Sequence, residues 1–409
     1  MIGKDRVRSL AASEQPNAVR VRRHLHTNPE LSFEEERTAA YIADELRASG
    51  IDAHVDGATH GVIGLIAGRG GSPANRVADH GNGPVVALRA DMDALPIREE
   101  TQHEYRSANE GVMHACGHDG HVACVLTAGR ILAALRDEIA GGIKLIFQPA
   151  EERAPGGALA MIESGVLESP RVDRIYGQHV NTELPAGTVG FASGLFMASA
   201  DEIYIDVRGR GGHAAKPHQA TDPVVIASTL IVTLQQIVSR NADPNTPSVL
   251  SFGRVRADGA ANVIPDKVEI AGTFRTVNDT WRETALERIR ETSSSLVSML
   301  GGEATVRIVR GYPALVNDPQ TTGSARSRAV DYLGEQRVVD LGPEMWSEDF
   351  AYYGRHRPSC FYNLGVRNEA QGIVHPVHTP RFDLDEEALQ VGSGLLAWIA
   401  IGALESAAG

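Results

Sequence analysis

The sequence VVALRADMD, residues 85–93, points to the architecture of this chain. Its first six residues form an apolar run rich in β-branched side chains, interrupted only by Arg89, which is typical of a strand buried in a parallel sheet. Asp91 and Asp93 follow directly. Ligands of open parallel sheets collect outside the carboxyl ends of the strands, so both carboxylates lie where a site is expected. We therefore predict an α/β fold with its chemistry at this edge of the sheet.

Strand-like and helix-like runs alternate after this stretch. They are two strands at residues 143–148 and 172–178 and two helices at residues 122–135 and 157–164. Upstream, the first helix is predicted to begin at Ser32, which forms a capping box with Glu35, and to stop at Gly50. Because alternating strands and helices imply parallel pairing, we expect a mostly parallel sheet. Residues 68–84 are rich in Gly, Pro, Asn and Ser and are predicted to form a surface loop.

A second pattern begins near Met197, where apolar and polar residues alternate as in a sheet with one solvated face. The predicted elements are a strand around 203–207, a helix opened by Asp222 and Pro223, strands at 249–255 and 267–274, a helix at 279–300 and a strand at 304–309. This order matches the split ferredoxin-like arrangement. A strand at 361–366 and a helix at 385–404 then return to the first pattern. We predict an inserted α+β domain at 197–311 within a discontinuous catalytic domain formed by 1–196 and 312–409.

The composition excludes several classes of function. The chain has 409 residues, enough for two domains, and a net charge of −13, which argues against nucleic acid and anionic membranes as partners. No stretch approaches the roughly 18 apolar residues of a membrane helix, and no secretory signal is recognisable. The three cysteines, Cys116, Cys124 and Cys360, are too few and too irregular for a disulfide framework. We expect a cytoplasmic protein.

The segment HACGHDGH, residues 114–121, has a density of metal-binding side chains that folding alone rarely requires. Further candidates follow two buried runs or lie in the late segment HTPRF, residues 378–382. The proposed ligands are Cys116, His118, Glu152, His179 and His378. This mixture of sulfur, nitrogen and oxygen suits zinc, manganese, cobalt or nickel better than magnesium or calcium. We predict two divalent ions per subunit, with manganese or zinc as first choice and cobalt or nickel as alternatives.

Adjacent glutamates on one loop point in different directions, so one can bind metal while the other acts as a general base. We assign Glu152 as the ligand and Glu151 as the base. The alternative is a solvated charge run, which the preceding buried strand and Pro149 disfavour. His114 and His121 are expected near the metals or on a helix surface. Asp93 is expected to orient an imidazole, with a local turn cap as the alternative.

Seven motifs, in chain order, resemble the M20 metallopeptidase family. They are RADMDALP (89–96), HACGHDGH (114–121), QPAEE (148–152), GRGGHAAKPH (209–218), NVIP (262–265), GTFRT (272–276) and HTPRF (378–382). Within the family they are similar to the amidohydrolase branch, which includes hippurate hydrolases, N-acyl-amino-acid amidohydrolases and plant auxin-conjugate hydrolases. That branch has a cysteine where other members carry an aspartate, and Cys116 follows the branch.

The resemblance implies roles for individual residues. The five ligands would form a dinuclear site whose bridging water is activated by Glu151. The inserted domain would act as lid and dimerisation domain and lend His213 to the oxyanion, commonly across the dimer, while Asn262 and Arg275 would hold the substrate carboxylate. A homodimer is expected, with a tetramer as the alternative. Judged without the resemblance, His213 would be an incidental residue of a glycine hairpin and Arg275 a surface side chain.

The expected reaction is hydrolysis of the amide of an N-acyl-L-amino acid, hippurate-like or with another acyl group, to a carboxylic acid and a free amino acid. A dipeptidase or aminopeptidase, or a carbamoyl or ureido amidohydrolase, could use the same metals. Outside catalysis, a metal-dependent binding protein on a retired scaffold would have no use for Glu151. A thiol redox protein is disfavoured, because Cys116 has no partner at Cys-x-x-Cys spacing.

Overall fold

The computed structural model describes residues 2–68 and 83–407. The chain divides into two compact units. The large unit comprises the described residues of Met1–Gly194, Val316–Gly342 and Asp349–Gly409, and the small unit comprises Leu195–Leu315 and Pro343–Glu348. Both unit boundaries lie within a few residues of those predicted, but the sequence assigned 343–348 to the other domain. Most of the loop predicted at 68–84 lies outside the described residues.

The strands are β1 (Asp52–Val55), β2 (Val62–Ala67), β3 (Val85–Asp91), β4 (Gly142–Gln148), β5 (Arg174–Pro185), β6 (Val189–Phe191), β7 (Gly194–Met197), β8 (Ser199–Arg208), β9 (Gly212–His213), β10 (Ser248–Arg256), β11 (Val263–Ile264), β12 (Lys267–Thr276), β13 (Glu303–Arg310), β14 (Leu315–Asn317), β15 (Val338–Asp340) and β16 (Ser359–Arg367). The helices are α1 (Lys4–Thr27), α2 (Glu36–Ala48), α3 (His118–Ala134), α4 (Gly157–Glu163), α5 (Pro223–Gln236), α6 (Asp279–Met299), α7 (Pro319–Leu333), α8 (Ala351–Gly354) and α9 (Glu387–Ala407).

A mixed sheet forms the centre of the large unit, with the described strands in the order β1-β2-β4-β3-β5-β16-β6-β15. The central neighbours β4, β3, β5 and β16 are parallel, whereas β1 and β2 pair antiparallel at one edge. β3 and β4 are buried along their whole length, as their continuous apolar sequences predict. The predicted α/β class is therefore confirmed. The carboxyl ends of β3 and β4 place Asp91 and the residues after Gln148 at one edge of the sheet.

Helices α1, α3 and α9 pack against one another in the core of the large unit. The sequence analysis missed α1, because this helix is rich in charged residues and contains Pro16. Its buried face is nevertheless regular, with Val7, Ala11, Ala18 and Val21 at helical spacing.

Two described helices have the length and hydropathy of a membrane span, Pro223–Asn241 and Glu387–Ala407. The expectation that no stretch approaches that composition was therefore wrong. For the second helix, 83% of the apolar window is buried in the protein core, which accounts for its composition; for the first, the buried share is 33%.

The predicted capping box at Ser32 is also wrong. α2 begins at Glu36, and its first turn shows no side-chain cap from Glu35 among the described contacts. Instead the carboxylate of Glu30 accepts hydrogen bonds from the backbone N–H and the hydroxyl of Thr38, at 2.7 and 2.9 Å. The Ser32 hydroxyl donates to Asp93, and Glu35 accepts from the Ala150 backbone N–H. Ser32 and Glu35 therefore bind residues that are distant in the sequence instead of capping the helix.

The small unit contains an antiparallel sheet in the order β10-β12-β8-β13, with α5 and α6 packed on it. This order and the connections between the strands are those of the predicted ferredoxin-like domain. α5 begins as predicted, since the Asp222 carboxylate accepts hydrogen bonds from the Val224 and Val225 backbone N–H groups and Pro223 occupies the first turn. Alternate residues of β8 face its core, among them Ile203, Ile205 and Val207.

Candidate metal centre

The loop that enters α3 sets the directions of Cys116 and His118. Gly117 lies between them with a φ of +84°, a left-handed conformation that glycine adopts without strain. A Cβ atom at this position would lie 2.6 Å from a methyl group of Val180, so the loop also packs too closely for any side chain. The turn places the Cys116 thiol before the helix and makes His118 its first residue.

The five predicted ligand residues converge in the large unit. The Cys116 Sγ atom lies 3.4 Å from His179 Nε2 and 3.2 Å from His378 Nε2. The Glu152 Oε1 atom lies 3.2 Å from His378 Nε2 and 3.8 Å from His118 Nε2. Donor atoms within 4.8 Å of one another form two groups that share Cys116: one with His118 and His179, the other with Glu152 and His378. A sulfur atom shared between two trios of donors is an arrangement that can hold a pair of cations.

The hydrogen bonds of the imidazoles also suit metal binding. His118 Nδ1 lies 3.1 Å from Asp93 Oδ1, and His179 Nδ1 lies 2.7 Å from the Val180 carbonyl oxygen. Each contact orients the ring through Nδ1 and turns Nε2 toward the cluster, where a cation that displaces any proton can use its lone pair. His118 Nε2 is buried and has no hydrogen-bond partner among the described residues. A bound cation would give this buried nitrogen the partner that it lacks.

The electrostatics of the cluster also favour cations. Burial and the nearby carboxylates of Glu152 and Glu151 raise the pKa of the Cys116 thiol well above its usual value. Burial lowers the pKa of His118, but Asp91 and Asp93 outweigh it and raise that pKa to about 10. Without cations the site therefore holds a surplus of negative charge. Divalent ions would neutralise this charge and stabilise the thiolate form of Cys116.

Asp93 links this cluster to the surrounding protein. Its Oδ1 atom contacts His118, while its Oδ2 atom accepts hydrogen bonds from Ser32 Oγ at 2.7 Å and from the Glu152 backbone N–H at 2.9 Å. The side chain is buried, which raises its pKa, but these hydrogen bonds outweigh burial and the pKa is lowered. Asp93 thus occupies the position expected of a residue that orients the imidazole, and it also holds the backbone of Glu152.

His121 is placed differently from His118. Its Nδ1 atom lies 2.6 Å from Asp91 Oδ1, and its Nε2 atom accepts a hydrogen bond from the Val180 backbone N–H at 2.9 Å. Because both ring nitrogens have protein partners, His121 supports the strand that carries His179 rather than offering a ligand atom. His114 is buried, has no hydrogen-bond partner in the described part of the chain, and belongs to neither ligand trio. Burial lowers the pKa of His114 to about 4.

A network that the sequence analysis did not predict lies beneath the carboxyl end of β3. Arg89 is buried and donates to Asp91, Gln148 and Asp349, at 2.7, 3.0 and 2.9 Å. Burial raises the pKa of Asp349 to about 6, although Arg89 opposes the shift. No local pattern could have identified Asp349, because it stands 260 residues from the arginine that it contacts.

His179 differs in position from the prediction. The sequence places it just past a strand, whereas β5 continues to Pro185. The pairing of β5 with β3 ends at Gly177, while its pairing with β16 continues and brings Asn363 opposite His179. His179 therefore lies where the pairing of β5 with β3 has stopped, and not past the end of its own strand.

Glu151 lies on a tight turn between β4 and α4. The preceding residue, Ala150, has a φ of +54°, a left-handed backbone conformation that turns the chain just before the two glutamates. Glu151 is 6% exposed, and a carboxylate oxygen of Glu151 lies within 4.8 Å of donor atoms of His118 and Glu152. Its carboxylate is therefore close enough to both trios to serve a water molecule held there.

The three predicted substrate-side residues belong to the small unit. His213 in β9 pairs with Val263 in β11, and the Ala214 backbone N–H donates to the Asn262 carbonyl oxygen at 3.0 Å. The exposed ring of His213 accepts the Ala215 backbone N–H at Nδ1, at 3.1 Å, so its Nε2 atom carries the hydrogen. Arg275 in β12 donates to the Met345 carbonyl oxygen at 3.1 Å, and burial lowers its pKa. Arg275 is therefore not the plain surface arginine of the alternative interpretation.

Comparison with known proteins adds independent findings. The family model of peptidase family M20/M25/M40 matches residues 87–401. The chain is 40% identical to the N-acetyl-L-cysteine deacetylase of Bacillus subtilis over 90% of this chain and 84% of the relative. It is 38% identical to the IAA-amino acid hydrolase ILR1-like 5 of Arabidopsis thaliana over 93% and 85% of the two chains. The crystal structure of Bacillus subtilis YxeP, a dinuclear metal binding peptidase from the M20 family, superposes with a TM-score of 0.80 at 35% identity, covering 96% of this chain and 99% of YxeP.

Proposed function

The chain belongs to peptidase family M20/M25/M40 as a metal-dependent amidohydrolase, and we propose that it cleaves the amide bond of N-acyl-L-amino acids. The products would be a carboxylic acid and a free amino acid. The observation that carries the proposal is the Cys116 thiol shared between two trios of ligand atoms, with the carboxylate of Glu151 beside them. The names of the deacetylase and of the IAA-amino acid hydrolase support an acyl group joined to an amino acid.

The donor set fits two divalent cations. One would be held by Cys116, His118 and His179 and the other by Cys116, Glu152 and His378. Bound there, the two cations would polarise the scissile carbonyl and acidify a water molecule between them. Thiolate and imidazole donors favour zinc, cobalt or nickel over magnesium and calcium, and the carboxylate of Glu152 also suits manganese. Zinc or manganese is the first choice, with cobalt or nickel as alternatives.

Glu151 would act as the general base and then as the general acid. Its carboxylate accepts a proton from the attacking water as the new C–O bond forms. It then delivers that proton to the amide nitrogen as the C–N bond breaks, so that the amine leaves neutral. The proposal is supported by the position of this carboxylate, which has an oxygen within 4.8 Å of donor atoms of His118 and Glu152.

Residues of the small unit would hold the substrate. Arg275 and Asn262 would bind its carboxylate, because a guanidinium can donate two parallel hydrogen bonds to that group. His213 would donate its Nε2 hydrogen to the oxyanion of the tetrahedral intermediate, commonly across a homodimer. The Ala215 backbone N–H supports this role, since it holds the ring in the tautomer that donates from Nε2.

The test is a hydrolysis screen of chelated enzyme with manganese, zinc or cobalt added back. The substrates are N-acetyl, N-benzoyl and indole-acyl amino acids, beside a plain dipeptide and a ureido acid. We expect metal-dependent release of a free amino acid from the acyl conjugates. Faster cleavage of the dipeptide, or release of ammonia from the ureido acid alone, would contradict the proposal in favour of the corresponding rival.

A further inference from the structure

Glu35 is a buried carboxyl group to which the proposed reaction gives no role. It stands just before α2 and has no measurable exposure to solvent. Its Oε1 atom accepts the Ala150 backbone N–H at 2.7 Å, and its Oε2 atom has no hydrogen-bond partner within residues 2–68 and 83–407. Since the Glu30 carboxylate accepts the backbone N–H groups of Arg37 and Thr38 in the first turn of the helix, Glu35 is not needed as a cap there.

The partner of Glu35 is the residue that turns the chain toward the metal centre. Ala150 is buried and has a left-handed φ of +54°, a conformation that costs energy for any residue with a Cβ atom. Such a conformation persists only where surrounding contacts hold it. The hydrogen bond to Glu35 is one of these contacts, and a bond from the Gly157 N–H to the Ala150 carbonyl oxygen, at 3.1 Å, is another. The base Glu151 and the ligand Glu152 follow immediately.

The neighbouring Ser32 is linked to the same turn through Asp93. Its hydroxyl donates to Asp93 Oδ2, the atom that also accepts the Glu152 backbone N–H. One segment of four residues, Ser32 to Glu35, is therefore linked to both ends of the turn that carries Glu151 and Glu152, directly through Glu35 and through Asp93 in the case of Ser32. The backbone N–H groups of Ala150 and Glu152 thus both donate to carboxyl groups, so the backbone that carries Glu151 and Glu152 cannot shift without breaking one of these hydrogen bonds.

We propose that Glu35 is a positioning residue that holds the turn of residues 149–152, and through it Glu151 and Glu152, by accepting the Ala150 backbone N–H. The proposal rests on the proposed function, because it gives Glu35 a task in placing the base and one ligand of that reaction. Burial, with a smaller contribution from Asp93, raises the pKa of Glu35 to about 8, so the neutral carboxyl is the main form at neutral pH. Glutamine is then a close substitute that keeps the acceptor oxygen.

The experiment compares Glu35→Ala, Glu35→Gln and Glu35→Asp with the exposed control Glu34→Ala, all reconstituted with cobalt. Three quantities are measured for each: kcat and KM with the best acyl substrate, the cobalt absorption spectrum, and cobalt affinity by chelator competition. We expect Glu35→Ala to lower kcat or cobalt affinity about 10 to 100-fold, the usual effect of losing a residue that orients a ligand. KM should change little, and the spectrum should shift because Glu152 has moved.

Glutamine at this position should restore kcat and the spectrum nearly to the wild-type state, and Glu34→Ala should match the wild type throughout. Should Glu35→Ala fail to fold, Glu35→Asp retracts the acceptor oxygen by one methylene and should show the same losses. An alanine variant that melts earlier yet keeps kcat and the spectrum would overturn the proposal, because the role would then be structural alone. Equal losses of kcat and cobalt affinity in Glu35→Gln and Glu35→Ala would also overturn it. The spectrum and affinity remain informative even if no acyl amino acid is a substrate, so failure of the proposed function is distinguishable.

Discussion

Replacing Asp93 with asparagine should weaken metal binding, because no orientation of the amide reproduces the three hydrogen bonds that the carboxylate accepts. With the amide oxygen toward His118, the amide nitrogen faces the Glu152 N–H and the Ser32 hydroxyl, which both donate to the carboxylate. With the amide reversed, its N–H₂ faces His118 Nδ1, so the ring must move its hydrogen to Nε2 and loses its ligand lone pair.

The first orientation leaves the buried Glu152 N–H without an acceptor, at a cost of about 1–3 kcal/mol. This cost should appear in the unfolding free energy of the metal-free protein. Because Asp93 also orients His118, we expect in addition a loss of about 10 to 100-fold in metal affinity, the usual effect of changing such a partner of a ligand. The assay is competition with a fluorescent chelator, together with denaturant unfolding of the metal-free protein. Asp44→Asn is the matched control, because its side chain is 77% exposed.

A double-mutant cycle sharpens the test. Ser32→Ala removes one of the two donors that would face the new amide nitrogen, so its effect and that of Asp93→Asn should combine to less than their sum. Unchanged metal affinity and unchanged unfolding free energy in Asp93→Asn would refute the reasoning. Strict additivity in the cycle would show that Ser32 and Asp93 do not act together.

Three further predictions concern other residues. Cys116→Ala should lose both metal ions by elemental analysis, whereas Cys124→Ala, whose thiol is buried near the Leu389 carbonyl oxygen, should keep them. Glu151→Gln should fold and retain its metals but lose about 10² to 10⁴-fold in kcat, measured under saturating substrate. The folded pKa of Glu35, about 8, exceeds its ordinary value of 4.5, so its contribution to stability is complete below pH 4.5 and lost as pH rises through 8. Glu35→Gln should therefore gain stability relative to the wild type as pH rises, by at most about 1.4 kcal/mol per pH unit, in unfolding titrations from pH 5 to 8.

The central strands could be predicted from the sequence because buried strands consist mainly of apolar residues. β3 and β4 are largely apolar runs, interrupted by Arg89 and Lys144, and their observed bounds differ from the predicted ones by about one residue. The ferredoxin-like order of the small unit followed from the alternation in β8 and from the cap at Asp222. The apolar pattern of α1 is harder to recognise, because many charged residues surround its narrow apolar face.

The five candidate ligands could be identified from the sequence because they are rare residue types concentrated in short motifs, and the structure brings them together. The contacts around them could not be identified, because each joins residues far apart in sequence. Ser32 and Glu35 satisfied a helix-capping pattern, yet the buried donors and acceptors at Asp93 and Ala150 compete for them more strongly. His121 resembles a ligand in sequence, and only the positions of Asp91 and of the Val180 N–H show that both its nitrogens are engaged.

The most direct test of the account is an anomalous diffraction measurement at the metal absorption edge, on crystals of the chain reconstituted with cobalt or zinc. The account predicts two peaks about 3.5–4 Å apart, both adjacent to the Cys116 sulfur, with His118 and His179 at one and Glu152 and His378 at the other. A single peak, or a pair of peaks that does not share Cys116, would contradict it.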